Sequence, residues 1–162
     1  QKLATTDKLT GLHNRARLDE LIAEEHRYLA RHPRPSSIAI LDLDHFKDIN
    51  DTHGHLTGDR VLAEVALVLA QSVRELDRLG RWGGEEFLVL MPDATTEGAR
   101  GVAERIQETL RRRDFGVARA VTTSVGIASY RPGESVSAWI SRADEMLYQA
   151  KNSGRNRILV DP

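Results

Sequence analysis

The chain reads as an α+β domain in which helices flank a mixed central sheet. Two patterns predict this class. Strand-like and helix-like segments alternate, and the alternation is broken by one antiparallel hairpin around Gly83-Gly84. Such a hairpin argues against a wholly parallel, doubly wound sheet. The length of 162 residues suits one domain with its own core, so residues 1–162 are read as a single unit.

Each element follows from spacing. From Arg17 to Arg31, Leu18, Leu21, Ile22 and Leu29 recur at near-helical intervals, and Pro33-Arg34-Pro35 ends the run. Ser37 to Leu43 is a buried strand. Asp59 to Arg74 is the clearest helix, with Leu62, Val65, Leu69 and Val73 on one face and Val61 and Val68 beside them. Arg78–Trp82 and Glu86–Met91 form the hairpin. Thr96 to Arg113 is helical through Val102, Ile106 and Leu110. Val121 to Tyr130 is β-branched and alternating, hence a strand. Ser137 to Lys151 is a helix with Ile140, Ala143 and Leu147 inward, capped by Ser135 or Ser137. Asn156 to Val160 closes with a short strand.

Composition narrows the function. Hydrophobic residues at 40% and charged residues at 29% describe an ordinary folded domain, not a disordered chain. A net charge of −1 gives no basis for a nucleic-acid or membrane surface. The basic run Arg111-Arg112-Arg113 falls where a helix ends and complements its dipole. Absence of cysteine excludes thiol chemistry and accords with a cytoplasmic, reducing compartment. No apolar stretch reaches the ~18 residues of a membrane span. The chain opens without methionine, so the expectation is a domain excised from a longer protein, one that a missing N-terminal region could tether to a membrane.

The chemistry concentrates at two acidic strand ends. Ile38-Ala39-Ile40-Leu41 runs into Asp42-Leu43-Asp44, and Gly83-Gly84 presents Glu85 and Glu86 ahead of the apolar run that begins at Phe87. If these strands are neighbours, the carboxylates converge. Clustered carboxylates need a cation or a shared proton. Magnesium takes one or two such ligands and fills its shell with water and phosphate oxygens, and a metal pair suits attack on a phosphoryl group. Just after the first acidic end, Phe46-Lys47-Asp48-Ile49-Asn50 offers main-chain N–H groups and an ammonium for a polyphosphate. Asn50 and Asp59 suit a purine edge, and Asp59 could accept from guanine, whose N1–H and N2 amine adenine lacks. Each has a plain structural reading beside it: Lys47 as surface charge, Asn50 as turn residue, Asp59 as an early helix charge.

Taken together the motifs resemble the GGDEF family of diguanylate cyclases, in its GGEEF variant, over essentially the whole chain. They comprise Gly83-Gly84-Glu85-Glu86-Phe87, Asp7-Lys8-Leu9-Thr10-Gly11-Leu12-His13-Asn14-Arg15, Asp42 through Asp51, and Gly54-His55-Leu56-Thr57-Gly58-Asp59. Near the end stand Ala143-Asp144, Tyr148-Gln149-Ala150-Lys151 and Gly154-Arg155-Asn156-Arg157. Departures are mild: Glu85 for the eponymous Asp, Trp82 at an aromatic position, and His53 where an aromatic is frequent.

The resemblance implies a fold like nucleotide cyclases and polymerase palms, a ferredoxin-like core with an added hairpin. It implies condensation of two GTP into cyclic di-GMP with release of two pyrophosphates, each 3′-hydroxyl attacking the other α-phosphate across a homodimer. By the same resemblance Asp42, Glu85 and the Leu43 carbonyl bind magnesium (manganese being the alternative), two ions per half-site. Glu86 is a further ligand or helps deprotonate the 3′-hydroxyl. Asn50 and Asp59 read guanine, and Lys47, Lys151, Arg155 and main-chain donors near Phe46 hold the triphosphate. Asp44 takes a contact or a supporting role. Arg74 and Asp77, just upstream of the double glycine, match the family's inhibitory product site, whose partner arginine the sequence does not locate. Rival readings are a catalytically silent GTP or cyclic di-GMP module, a mononucleotide cyclase and a structural dimerisation domain. The intact Asp42, Glu85, Glu86, Lys47 and Asp59 argue against the first, the GGEEF hairpin and the absence of that family's motifs against the second, and the paired acidic strand ends against the third.

Overall fold

The computed structural model describes residues 4–162. In chain order its elements are α1 (Arg15–Arg31), β1 (Ser36–Leu43), α2 (Phe46–His53), α3 (His55–Ser72), β2 (Arg78–Arg81), β3 (Glu86–Pro92), α4 (Thr96–Arg112), β4 (Thr123–Ser129), α5 (Val136–Asn152) and β5 (Ile158–Val160). The sheet order is β2-β3-β1-β4-β5. The central strand β1 pairs antiparallel with both β3 and β4, β2 pairs antiparallel with β3, and β5 pairs parallel with β4. This is the mixed sheet of an α+β fold.

Every residue of β1 is buried. A strand covered on both faces reads as an unbroken apolar run, which explains its sequence. Side-chain alternation divides the core in two. Ile38, Ile40, Leu88, Leu90 and Ala128 face α1 and α5, meeting Leu18, Ile22, Trp139, Ala143 and Leu147. Ala39, Leu41, Phe87, Val89, Val125 and Ile127 face α2, α3 and α4, meeting Ile49, Val65, Leu69, Val102 and Ile106. Asn14, Thr95 and Ser135 cap α1, α4 and α5 by accepting from backbone N–H groups of the first turn, the last settling which serine caps α5.

The limits of α3 and one inward position of α5 differ from expectation. The helix expected from Asp59 to Arg74 begins at His55 and stops at Ser72, so Val73 and Arg74 lie beyond it. Before it stands the separate helix α2, and Gly54 makes the break at φ +88°, a conformation that β-carbons disfavour. In α5 the inward position expected for Ile140 belongs to Trp139, which is wholly buried; Ile140 packs only partly. Tryptophan wins because it buries more area and its indole N–H finds the Ala128 carbonyl at 3.0 Å.

Candidate active site

The register of β1 and β3 builds the site. Asp42 lies directly opposite Glu86 in the antiparallel ladder. Continuing the stripe Ile38-Ile40 and the stripe Leu90-Leu88, both carboxylates point to the face that α5 covers. Two acidic groups thus end an apolar surface. The hairpin turn closes on them: Leu43 N–H donates to the Glu85 carbonyl at 3.2 Å, and Trp82 and Gly83 N–H groups donate to the Glu86 carbonyl.

Burial and mutual charge set the electrostatics. Asp42 is 6% exposed, and burial pushes its carboxyl above the usual range despite the opposing pull of Lys151. Burial raises Glu86 as well, and the Asp42 charge raises it further. The ammonium of Lys151, in the last turn of α5, donates to Asp42 Oδ2 at 2.6 Å. Burial disfavours that ammonium, but Asp42, Glu86 and Glu85 outweigh it and raise its pKa.

Asp44 differs. It is buried, and its carboxylate accepts from Thr122 Oγ1 at 2.7 Å, Ser124 Oγ at 2.6 Å and the Asn156 N–H at 2.9 Å. It ties β1 to the start of β4 and to the turn after α5, with its lone pairs turned to that task.

An open cleft of ≈ 260 Å³ adjoins these groups, lined by Asp42, Leu43, Phe46, Lys47, Glu85, Lys151 and Arg155 among others. The N-terminus of α2 faces it. No side chain caps that first turn, since His45 enters it at φ 56° without a capping bond. Its N–H groups and dipole therefore favour an anion. Lys47 lines the cleft with its side chain 89% exposed, touching only Asp51 at 3.8 Å. Arg155 is exposed and donates to the Lys151 carbonyl at 3.1 Å.

Asn50 occupies a distinct position. Its Oδ1 is buried without a hydrogen-bond partner, against Gly58. A β-carbon on Gly58 would stand 1.8 Å from that oxygen. Asp59, next along α3, is exposed. An unpaired buried acceptor costs free energy.

Of the residues the sequence brought forward, Asp42, Glu85, Phe46, Lys47, Lys151 and Arg155 line one cleft, and Glu86 stands opposite Asp42 in the ladder beside it. It did not foresee the braces of the hairpin. Arg81 donates to the Gly84 carbonyl through Nε and one terminal nitrogen, at 3.0 and 2.7 Å, and reaches Asp7 at 3.3 Å. Arg15 donates to the Trp82 carbonyl and lies 3.4 Å above its ring. The contacts of Arg15 with Trp82 and of Arg81 with Asp7 span 67 and 74 residues, so no local signal exposes them.

Arg74 and Asp77 meet each other, away from the cleft. The Asp77 side chain is fully buried, and Arg74 donates to it from its backbone N–H and its guanidinium and to the Pro92 carbonyl at 2.7 Å. This pairing holds the Arg74 guanidinium above its usual pKa. Arg105 of α4 donates to the Ser72 carbonyl at 2.7 Å, two residues before Arg74. A hollow of ≈ 320 Å³, lined by Tyr28, Arg34, Leu76, Arg78, Pro92 and Asp93 among others, flanks the pair.

The donor set suits a hard divalent ion in part. Two adjacent carboxylates, Glu85 and the Leu43 carbonyl offer oxygens, and a cation would relieve the strain of Asp42 against Glu86. Among the described residues no group of three acidic or imidazole side chains forms a ready cage.

Residues 4–157 match the family model described as "Diguanylate cyclase, GGDEF domain". The chain is 42% identical over 163 residues to the diguanylate cyclase DgcP of Pseudomonas aeruginosa, covering 97% of this chain and 24% of that protein. It is 45% identical over 168 residues to the response regulator PleD of Caulobacter vibrioides, covering 98% of this chain and 36% of that protein. The chain therefore spans about a quarter to a third of these relatives' length. Among solved structures, diguanylate cyclase SiaD of P. aeruginosa, in complex with its activator SiaC, superimposes with a TM-score of 0.93 at 43% identity, covering 98% of this chain and 62% of that one. The GGDEF domain of DgcB from Caulobacter crescentus, in complex with c-di-GMP, gives 0.92 at 35% identity, covering 99% and 97%.

Proposed function

From the premise that this chain belongs to the GGDEF family of diguanylate cyclase domains, we propose that it condenses two GTP into cyclic di-GMP. The observation that carries the reading is the Asp42–Glu86 cross-strand pair, a buried and a half-buried carboxylate beside a cleft that ends in an uncapped helix N-terminus. Family membership alone does not separate an enzyme from a silent relative; this preserved acidic pair supports the enzyme.

Each group has a role in the proposal. Asp42, Glu85 and the Leu43 carbonyl would hold divalent metal, two ions in each half-site, with magnesium the cellular ion. Bound there, the metal supplies charge neutralisation at the phosphates and acidifies the attacking hydroxyl. The N–H groups at Phe46, with Lys47, Lys151 and Arg155, hold the triphosphate. Asn50, whose Oδ1 waits unpaired, and Asp59 accept from the guanine edge. Glu86 takes the 3′-hydroxyl proton or adds a ligand; its raised pKa fits a group poised to exchange a proton.

The cleft is open and holds one nucleotide-sized set of contacts. Two chains must face each other to bring a 3′-hydroxyl to an α-phosphate, so proximity comes from a homodimer. Its substrate places the domain in the cytoplasm. No helix among the described residues is long and apolar enough to cross a membrane.

The test is incubation of the domain with GTP and magnesium at low and high protein concentration, with chromatographic identification of products. Cyclic di-GMP whose yield per chain rises with concentration is the expected result. GTP binding without any product at high concentration would favour the silent module.

A further inference from the structure

We infer that Lys151 is an internal counter-ion that occupies Asp42 until a nucleotide arrives, so that cation and nucleotide bind this site cooperatively. The inference rests on the cyclase reading for the identity of the nucleotide and of the acidic cation site. Its own ground is the contact itself. The ammonium lies 2.6 Å from Asp42 Oδ2, on a carboxylate that is 6% exposed, and among the described residues it is the one cation paired with Asp42. The other cations of the cleft do otherwise: Lys47 reaches Asp51, and Arg155 binds a main-chain carbonyl.

A charge-assisted hydrogen bond on a buried carboxylate is strong, and a divalent ion entering alone must break it. The displaced ammonium is then left with Glu85 and Glu86, carboxylates whose charge the entering cation also offsets, because the oxygens of Asp44 are engaged by Thr122, Ser124 and Asn156. A triphosphate changes this by bringing acceptor oxygens into the cleft. The flexible stem of Lys151 swings to them and releases Asp42 to the cation. Its backbone need not move, since Lys151 sits in the last turn of α5 and its carbonyl is held by Arg155. Linkage is reciprocal, so cation tightens nucleotide binding by the same factor.

The experiment is Mn2+ titration of the intact chain, followed by electron paramagnetic resonance of free Mn2+, with and without 3′-deoxy-GTP, which cannot react. Without nucleotide, Lys151→Met should bind Mn2+ about ten-fold more tightly than wild type, and Lys47→Met should stay within about two-fold. Adding 3′-deoxy-GTP should strengthen Mn2+ binding about ten-fold in wild type and far less in Lys151→Met. Lys151→Gln, which keeps a neutral donor, should fall between and serves if the methionine variant loses its folded circular dichroism. A Lys151→Met affinity no tighter than wild type would overturn the inference. So would an equal gain in Lys47→Met, which would mean a mere change of net charge. None of these readings needs turnover: intact coupling with no cyclic di-GMP would sink the cyclase reading and leave this one standing.

Discussion

Glu86 and Asp42 are two carboxylates that the fold would sooner keep protonated. Burial raises both; the Asp44 charge adds to the rise of Asp42, and the Asp42 charge adds to that of Glu86. A raised folded pKa means the metal-free native state binds more protons than the unfolded chain. The favourable contribution is therefore complete below the ordinary carboxylate range and is lost as pH rises through the elevated values. Glu86→Gln removes one of the two charges and keeps the shape. It should raise the melting temperature of the metal-free domain at pH 7.5 by about 2–4 °C, after discounting for solvent screening at this half-exposed group. At pH 4 the gain should shrink toward zero, because wild-type Glu86 is then protonated too. Cyclic di-GMP synthesis should vanish in the same variant. Thermal scans at the two pH values, beside a product assay, check both halves; a lower melting temperature at pH 7.5 would contradict the electrostatic account, and retained turnover would remove Glu86 from the mechanism.

The helix α5 reaches Asp42 because β4 lets it come close. A β-carbon on Gly126 would stand 2.1 Å from the Ala143 carbonyl oxygen and 2.3 Å from the Leu147 nitrogen, both backbone atoms that cannot rotate away. Gly126→Ala must push the helix off the sheet, at an overpacking cost of about 1–3 kcal/mol, or about 2–12 °C in melting temperature. Because α5 also carries Lys151, the wild-type coupling of Mn2+ and nucleotide should weaken with it. A melt unchanged within 1 °C, on the order of measurement error for so small a stability change, would show that the helix yields without cost. This intimacy marks what the sequence conceals. The elements themselves are legible: the stripes of α1, α3 and α4 and the apolar run of β1 follow local periods, and the acidic strand ends stand out by composition. The start of α3 at His55, ahead of Asp59, was hidden because His55, Leu56 and Thr57 carry no buried stripe and the first buried residue of the helix is Gly58. Trp139 was passed over for Ile140 because the two are neighbours, and only the β4 carbonyl chooses between them. The Lys151–Asp42 contact joins residues 109 apart, and Thr122 and Ser124 reach Asp44 across about 80. Motif resemblance names such residues, but which atom meets which is decided by strand register and helix approach.

Across the whole molecule, the Arg74–Asp77 pair and the Asp42–Glu86 pair sit at opposite ends of one strand. Arg74 holds the carbonyl of Pro92, the last residue of β3, and Glu86 is the first. At about 3.3 Å per residue the strand separates them by about 20 Å. If cyclic di-GMP binds at Arg74 and Asp77, it cannot compete with GTP for the cleft, and inhibition must act on how two domains meet. It should lower kcat and leave KM for GTP unchanged. The Arg105 guanidinium, which grips the Ser72 carbonyl two residues before Arg74, would then be the arginine to complete that site. Arg74→Ala should relieve inhibition, raising the product concentration for half-inhibition at least about ten-fold, the loss expected for a charge-assisted contact. That variant also strands the fully buried Asp77 carboxylate, so it should melt lower than wild type. Arg105→Ala breaks only a bond to a carbonyl, and should relieve inhibition with a far smaller loss of stability. Initial rates against GTP at several product concentrations, run on both variants, separate the effects. Relief in Arg105→Ala with an unchanged melt assigns the arginine to product binding; competitive inhibition, or inhibition unaltered in both variants, would move the product out of this corner and back to the cleft.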